Sequence, residues 1–369
     1  MHPQATRIIL EPDPVHSQYY SNFRMGIIPL VVPNLIVRSN IIALRFGHMR
    51  SNTDFSWQYY PKQLQELTIY GYLNDERLET VVESCQQLKL LNISDSQNIT
   101  DTSINIILKL KLLQALYVSG THLTEDGIDR LLLGLSENEA NRSSEKSFKC
   151  FGGLNDTNIG TLTETLPNVV QISLYSSSDH SLLLNLTKLN NLKSLSIGPI
   201  IPGAEVLTCL GKQLTCLHLE NFETLDLITI GENCDSLKCF HISGDCAFES
   251  EEELSEEEFS SIRLPGFLSI ECLCLDIPKD HDGTILLLAR CPNVKKLYLS
   301  LYEIFFETVI EAVSEHNKLE YLETLYVTPF GDITEKEANV LATTFKNLRV
   351  FHGGFPEVTR ACGVKFFKF

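Results

Sequence analysis

The chain predicts an α/β solenoid: a horseshoe with a parallel concave sheet and convex helices. Three observations carry this. An L-x-x-L-x-L run recurs, with Leu88, Leu91 and Ile93 answered by Leu113, Leu116 and Val118, 113 − 88 = 25 residues on. Each run alternates as a strand does. A polar turn then leads into an amphipathic segment, Ile99-Thr100-Asp101 before Ser103–Leu110 and Leu123-Thr124-Glu125-Asp126-Gly127 before Leu135. Finally, Cys85, Cys234 and Cys291 each stand three residues before the next strand's first apolar position. A strand and a helix repeated at about 25 residues cannot bury their apolar faces alone and must stack on their neighbours.

Taken in order, residues 1–40 do not show the repeat. Pro12, Pro14, Pro29 and Pro33 break long helices. Ile27–Val37 is apolar enough to cap the end of a solenoid, so 1–40 is expected to be an N-terminal cap or flank. The repeat domain is expected over 41–369, with about 12–13 repeats. Strand starts fall at Ile41, Leu64, Leu88, Leu113, Glu145, Val169, Leu192, Leu214, Leu237, Ile270, Val294, Leu322 and Leu348. Two steps are long because polar insertions interrupt them, one near 136–147 (SENEANRSSEKS) and an acidic one near 249–258 (ESEEELSEEE). Apolar spacing of three and four predicts helices over Arg77–Ser84, Ser103–Leu110, Gly127–Leu135, Thr284–Arg290, Phe306–Val313 and Glu335–Phe345. Thr334 and Glu337 form a capping box before the last. The links near Pro199–Ala204 are expected to be irregular or 3₁₀ turns.

The local strings SCQQLKLL, NCDSLKCF and RCPNVKKL, with the ITD and LTEDG turns, resemble the cysteine-containing subclass of leucine-rich repeats over about residues 60–355. That subclass is common in F-box proteins, the substrate receptors of cullin–RING ubiquitin ligases. The resemblance implies a non-catalytic protein–protein interaction module. It further implies a substrate-recognition subunit reaching a cullin through the Skp adaptor. The chain departs from the F-box pattern in one place: residues 1–40 offer only Ile28-Pro29-Leu30 where a Leu-Pro pair and an acidic residue open an F-box. A leucine-rich-repeat scaffold or adaptor with no ubiquitin role is the alternative.

Composition narrows the partner. A net charge of −17 runs against nucleic acid, which needs a basic stripe, and against an anionic membrane surface. No apolar run approaches the roughly 20 residues of a membrane span. The N-terminus lacks the apolar core of a secretory signal. Eleven cysteines without a compact disulfide spacing read as free thiols, which places the chain in the cytoplasm or nucleus.

Strand side chains alternate, so positions 3 and 5 of each L-x-x-L-x-L run face away from the core. Position 5 gives a column that includes Tyr117, Lys149, His218, His241, Tyr298 and Tyr326. Tyrosine and histidine on a concave sheet suit a protein-binding face, and these six are the expected partner contacts. Cys216, His218, Cys239, His241, Cys272 and Cys274 fall together on neighbouring strands, and ligands of this softness can take zinc. Parallel neighbours point the same way, however, so four of them do not converge on a tetrahedron. No cofactor is expected. The chain carries no nucleophile elbow, P-loop, dinucleotide fingerprint or H-E-x-x-H motif. Cys239 with His241 has the groups of a nucleophile and its base, but a shallow sheet lacks a closed pocket, so no enzyme activity is expected. In the acidic stretch Ser250 and Ser255 each precede three glutamates and resemble sites for an acid-directed kinase.

Overall fold

The computed structural model describes residues 6–9, 41–46, 60–139, 147–176, 180–199, 204–222, 224–244, 247–248, 267–276, 281–301, 319–329, 343–352 and 365–367. The chain packs as two compact units. Unit 1 holds Met1–Tyr175 with Lys188–Asn191, and unit 2 holds Ser176–Thr187 with Leu192–Phe369.

Among the described residues, unit 1 has seven parallel strands in sequential order: β1 (Thr6–Ile9), β2 (Ile41–Phe46), β3 (Glu66–Ile69), β4 (Leu90–Asn92), β5 (Ala115–Tyr117), β6 (Cys150–Asn155) and β7 (Gln171–Ser176). The crossovers carry α1 (Asp75–Ser84), α2 (Ser103–Ile107), α3 (Glu125–Glu139) and α4 (Ile159–Thr165). β1 was not expected: Thr6–Ile9 lies in the flank, yet pairs parallel with β2. α3 runs to Glu139, so the first residues of the polar stretch 136–147 continue the helix.

Unit 2 adds α5 (His180–Leu183) and α6 (Ala204–Leu210) around β8 (Ser194–Pro199) and β9 (Cys216–Glu220). After β10 (Thr224–Leu225) and α7 (Leu227–Asn233) come β11 (Cys239–Ser243), β12 (Ala247–Phe248) and β13 (Cys272–Asp276). α8 (His281–Arg290) leads to β14 (Lys296–Leu301), β15 (Thr324–Pro329), β16 (Val350–His352) and β17 (Lys365–Phe367). β10 and β12 pair only with each other, and the other eight strands form one parallel sheet in sequential order. Short 3₁₀ turns at Asp156–Asn158, Leu184–Lys188 and Gly211–Gln213 tighten the crossovers. β8 ends at Pro199 and α6 begins at Ala204; the link between them, 200–203, lies outside the described residues.

Each unit is thus an α/β leucine-rich-repeat solenoid with an open sheet. Its core follows from the repeat. Positions 1, 4 and 6 of successive runs, such as Leu88, Leu91 and Ile93, are fully buried, as are the helix residues Leu78, Val81 and Val82 that pack on them. Each side chain of this size stabilises by about 1.5–3 kcal/mol on leaving water. Cys85, Cys234 and Cys291 are buried at the helix-to-strand turn, where a small thiol fits. Backbone position 2 forms its own ladder between repeats: Lys89 N–H donates to Gln65 O at 2.7 Å, and Gln114 N–H donates to Lys89 O at 2.7 Å.

That ladder corrects one strand start. Lys149 N–H donates to Gln114 O at 2.8 Å, and Ala115, Leu116 and Tyr117 pair with Cys150, Phe151 and Gly152. The fifth repeat therefore begins at Phe148 and not at Glu145. The polar stretch hid the true phase, because Phe148 and Cys150 imitate positions 4 and 6 when the run is started three residues early. Ser250 and Ser255, Phe306–Val313 and the Thr334–Glu337 capping box lie outside the described residues.

Candidate functional site

The face opposite the core carries positions 3 and 5. In unit 2, position 5 reads Ser196, His218, His241, Cys274, Tyr298, Tyr326 and His352 across β8, β9, β11, β13, β14, β15 and β16, in unbroken register. Parallel strands about 4.8 Å apart set equivalent side chains at stacking distance. His218 and His241 stack with ring centroids 3.8 Å apart and planes 2° from parallel. Tyr298 and Tyr326 do the same at 4.3 Å and 8°. Ser196 Oγ lies 3.3 Å from His218 Nδ1, and Ser243 Oγ lies 3.3 Å from its Nε2. One hydroxyl accepts from the neutral ring while the other donates to it. Burial pushes the His218 imidazole down to about 4, so at neutral pH this ring is uncharged.

Exposure along this column is uneven. Tyr298 is only 8% exposed and Cys274 only 5%, whereas His218, His241 and Tyr326 are half-buried. Tyr298 therefore supports the ladder from within and does not present a free ring. In unit 1, Tyr117 is the aromatic of the column, following Arg45, Thr68 and Asn92. Its ring lies over Gly152, where an added Cβ would strike it. Burial raises the Tyr117 phenol well above its usual range, helped by the nearby Cys150 thiol. Lys149 is not in this column. It occupies the exposed position 2 of its repeat, and Gly152 takes position 5. A second glycine, Gly153, is the extra residue of a β-bulge at φ +100°; a Cβ there would sit 2.6 Å from Ser119 N.

Position 3 brings together Cys216, Cys239 and Cys272, each the register partner of the next. All three are half-buried. The three thiols follow one another from strand to strand, from Cys216 through Cys239 to Cys272. The six Cys and His residues of the possible zinc patch are thus adjacent. Among the described residues, however, no group of three or more His, Cys, Asp or Glu is placed to hold a metal ion.

Sequence reasoning missed the polar edge of unit 1. Asp75 Oδ1 accepts from Thr100 N at 3.0 Å, Asp75 Oδ2 accepts from Thr100 Oγ1 at 2.8 Å, and Ser103 Oγ also donates to the carboxylate. One repeat on, Asp101 accepts from Thr124 N at 2.9 Å, from Thr124 Oγ1 at 2.8 Å and from Arg130 at 2.7 Å. The Thr124 backbone bond, then its hydroxyl and Arg130, hold the Asp101 carboxyl below its usual range. The ITD and LTEDG turns were visible as motifs. Their bonds join one repeat to the next, so no local pattern announces them.

No family model matches the chain, and no curated protein matches it. Among solved structures the chain is similar to an internalin (inlF) from Listeria monocytogenes, at 16% identity over 89% of this chain and 86% of that one, with a TM-score of 0.40. It is also similar to the yeast Rad7 and Elc1 complex, at 14% identity over 80% of this chain and 89% of that one, with a TM-score of 0.32. The TLR13–ssRNA13 complex matches at 14% identity over 89% of this chain and 44% of that one, with a TM-score of 0.42.

Proposed function

We propose that the chain is a protein–protein interaction module whose contact face is the outer face of the sheet, centred in unit 2 on His218, His241 and Tyr326 with Tyr117 a further contact in unit 1. The observation that carries this is the pair of ring stacks in register. Stacked rings are fixed before a partner arrives, so little side-chain entropy is lost on binding. The rings of His218, His241 and Tyr326 are amphipathic and half-buried, which suits the anchor residues of protein interfaces. The narrower reading is substrate recognition for a cullin–RING ubiquitin ligase through the Skp adaptor. It rests on the resemblance of SCQQLKLL, NCDSLKCF and RCPNVKKL to the cysteine-containing repeats of F-box receptors. A scaffold without a ubiquitin role shares the contact face and lacks the adaptor. Mass spectrometry of complexes purified with the full chain separates the two. Skp and cullin peptides at stoichiometric yield are expected for the receptor, and a partner without them overturns it in favour of the scaffold.

A further inference from the structure

We propose that Cys216, Cys239 and Cys272 form a copper(I) site in which each pair of neighbouring thiolates holds one linearly coordinated ion. The row stands on position 3 of β9, β11 and β13, beside the contact face proposed above and independent of it.

Register builds the row. Cys216 pairs with Cys239, and Cys239 with Cys272. The backbone repeats itself at each cysteine. The amides of Cys216, Cys239 and Cys272 donate to position 2 of the preceding strand, to Lys193 O at 3.0 Å, Thr215 O at 2.9 Å and Lys238 O at 2.9 Å. Three side chains of one kind therefore leave the sheet from equivalent frames and point the same way. The spacing between such neighbours is read two residues on, where the His218 and His241 rings of β9 and β11 lie 3.8 Å apart. The Tyr298 and Tyr326 rings of β14 and β15 lie 4.3 Å apart. All three thiols are half-buried, so the row is open to solvent.

That geometry selects the ion. Zinc takes ligands around a tetrahedron, and parallel neighbours do not converge on one. Among the described residues no group of three or more His, Cys, Asp or Glu gathers around one ion, and a linear two-coordinate ion requires none. A disulfide would need its sulfurs about 2.05 Å apart, much closer than a ladder sets them. A thiolate–metal bond is about 2.3 Å long, so two bonds in line span about 4.6 Å, against a strand spacing of about 4.8 Å. The ion then lies on the line between two sulfurs, roughly at a right angle to each Cβ–Sγ bond, as divalent sulfur prefers. Soft thiolates select copper(I), whose filled d shell favours two ligands in line.

The ends of the row fit its charge. All three thiols give up their protons as two monovalent ions enter, so the filled row keeps one negative charge. Lys296, the register partner of Cys272, stands at that end to offset it, and Ser194 closes the other end beside Cys216. No other cysteines among the described residues are set side by side in this way. Cys150, at position 3 of β6, has Ala115 and Gln171 as partners. Cys274 is buried and stands between His241 and Tyr298. Cys85, Cys234 and Cys291 are enclosed, and their repeats do not adjoin.

The test titrates the reduced full chain, without oxygen, with copper(I) held by excess bicinchoninate, whose colour reports the ion it gives up. About two equivalents should pass to the chain that do not pass to a variant carrying Cys216→Ser, Cys239→Ser and Cys272→Ser together. Cys239→Ser alone should lose both ions, since Cys216 and Cys272 are two strands, about 9.6 Å, apart. Cys216→Ser and Cys272→Ser should each lose one ion and keep the other. X-ray absorption at the copper edge should show two sulfur neighbours per ion and no nitrogen. Equal uptake by the unsubstituted chain and the triple variant overturns the proposal, as does an ion kept by the row in Cys239→Ser. Nitrogen neighbours, or three sulfurs around one ion, also overturn it. The absorption measurement uses the unsubstituted chain, so it decides the question even if a variant fails to fold.

Discussion

The two units solve the same stacking problem with different side chains. Unit 1 ties its repeats together at the polar edge, where Asp75 and Asp101 each reach into the following repeat. Its position-5 column is polar at Arg45, Thr68 and Asn92, with Tyr117 following, and Asn92 donates to the Tyr70 hydroxyl at 3.2 Å beside it. In unit 2 the place of Asp75, the first residue of its helix, is held in α7 by Leu227, and the cap before it, Asp226, bonds within its own turn to Thr229, as Asn74 does to Arg77. There the outer face carries the connection, through the His218–His241 and Tyr298–Tyr326 stacks. A polar edge leaves the sheet face uncommitted. A stacked face is already ordered and partly apolar, and that is why unit 2 is the contact surface we propose.

The comparison predicts where the chain is fragile. Tyr298→Ala removes a nearly buried ring from the stack and should cost about 3 kcal/mol of folding stability, the scale of a large-to-small core change. Chemical denaturation measures it, and a cost below about 1 kcal/mol would mean that the stack is ornamental. Asp75→Ala should follow at about 2–3 kcal/mol, because it leaves three donors of the next repeat without their charged acceptor. Asp226→Ala should cost only about 1 kcal/mol, the worth of a helix cap. Equal losses would erase the contrast between the two edges.

A smaller effect is pH-dependent. His218 is held near 4 in the folded chain against an ordinary value of 6.5. Its folded value is depressed, so the unfolded chain binds the extra proton first as pH falls. Stability is full above about pH 6.5 and is lost progressively as pH drops towards 4, by about 2 kcal/mol at pH 5. The measurement is the difference between the unsubstituted chain and His218→Gln in melts at pH 7.5 and pH 5, which removes the background of other titrating groups. A parallel pH dependence in both would show that His218 is not the group responsible.

Much of this fold was legible because the repeat is written in large apolar residues. Leu88, Leu91 and Ile93 announce a strand, and the neighbouring runs then fix the register of the column from His218 to Tyr326. Phase was lost only where the polar stretch after Leu135 let Phe148 and Cys150 stand in for later positions, and that error placed Lys149 on the wrong column. Alternation said which way Tyr298 points but not how much of it stays exposed, since that depends on stacking between strands. The Asp75–Thr100 and Asp101–Thr124 links were hidden for the same reason, being bonds between repeats with no signature inside one.

The central claim is that unit 2's outer face binds the partner. It is tested most directly by titrating the partner recovered in the purification experiment against three forms of the full chain. Tyr326→Ala and His241→Ala are each expected to weaken binding by about 1–2 kcal/mol, roughly 5- to 30-fold in Kd, with the fold intact. Thr68→Ala, at the same repeat position on the polar face of unit 1, should leave Kd within about twofold. Unchanged affinity in both unit 2 variants, or a loss as large in Thr68→Ala, would contradict the account.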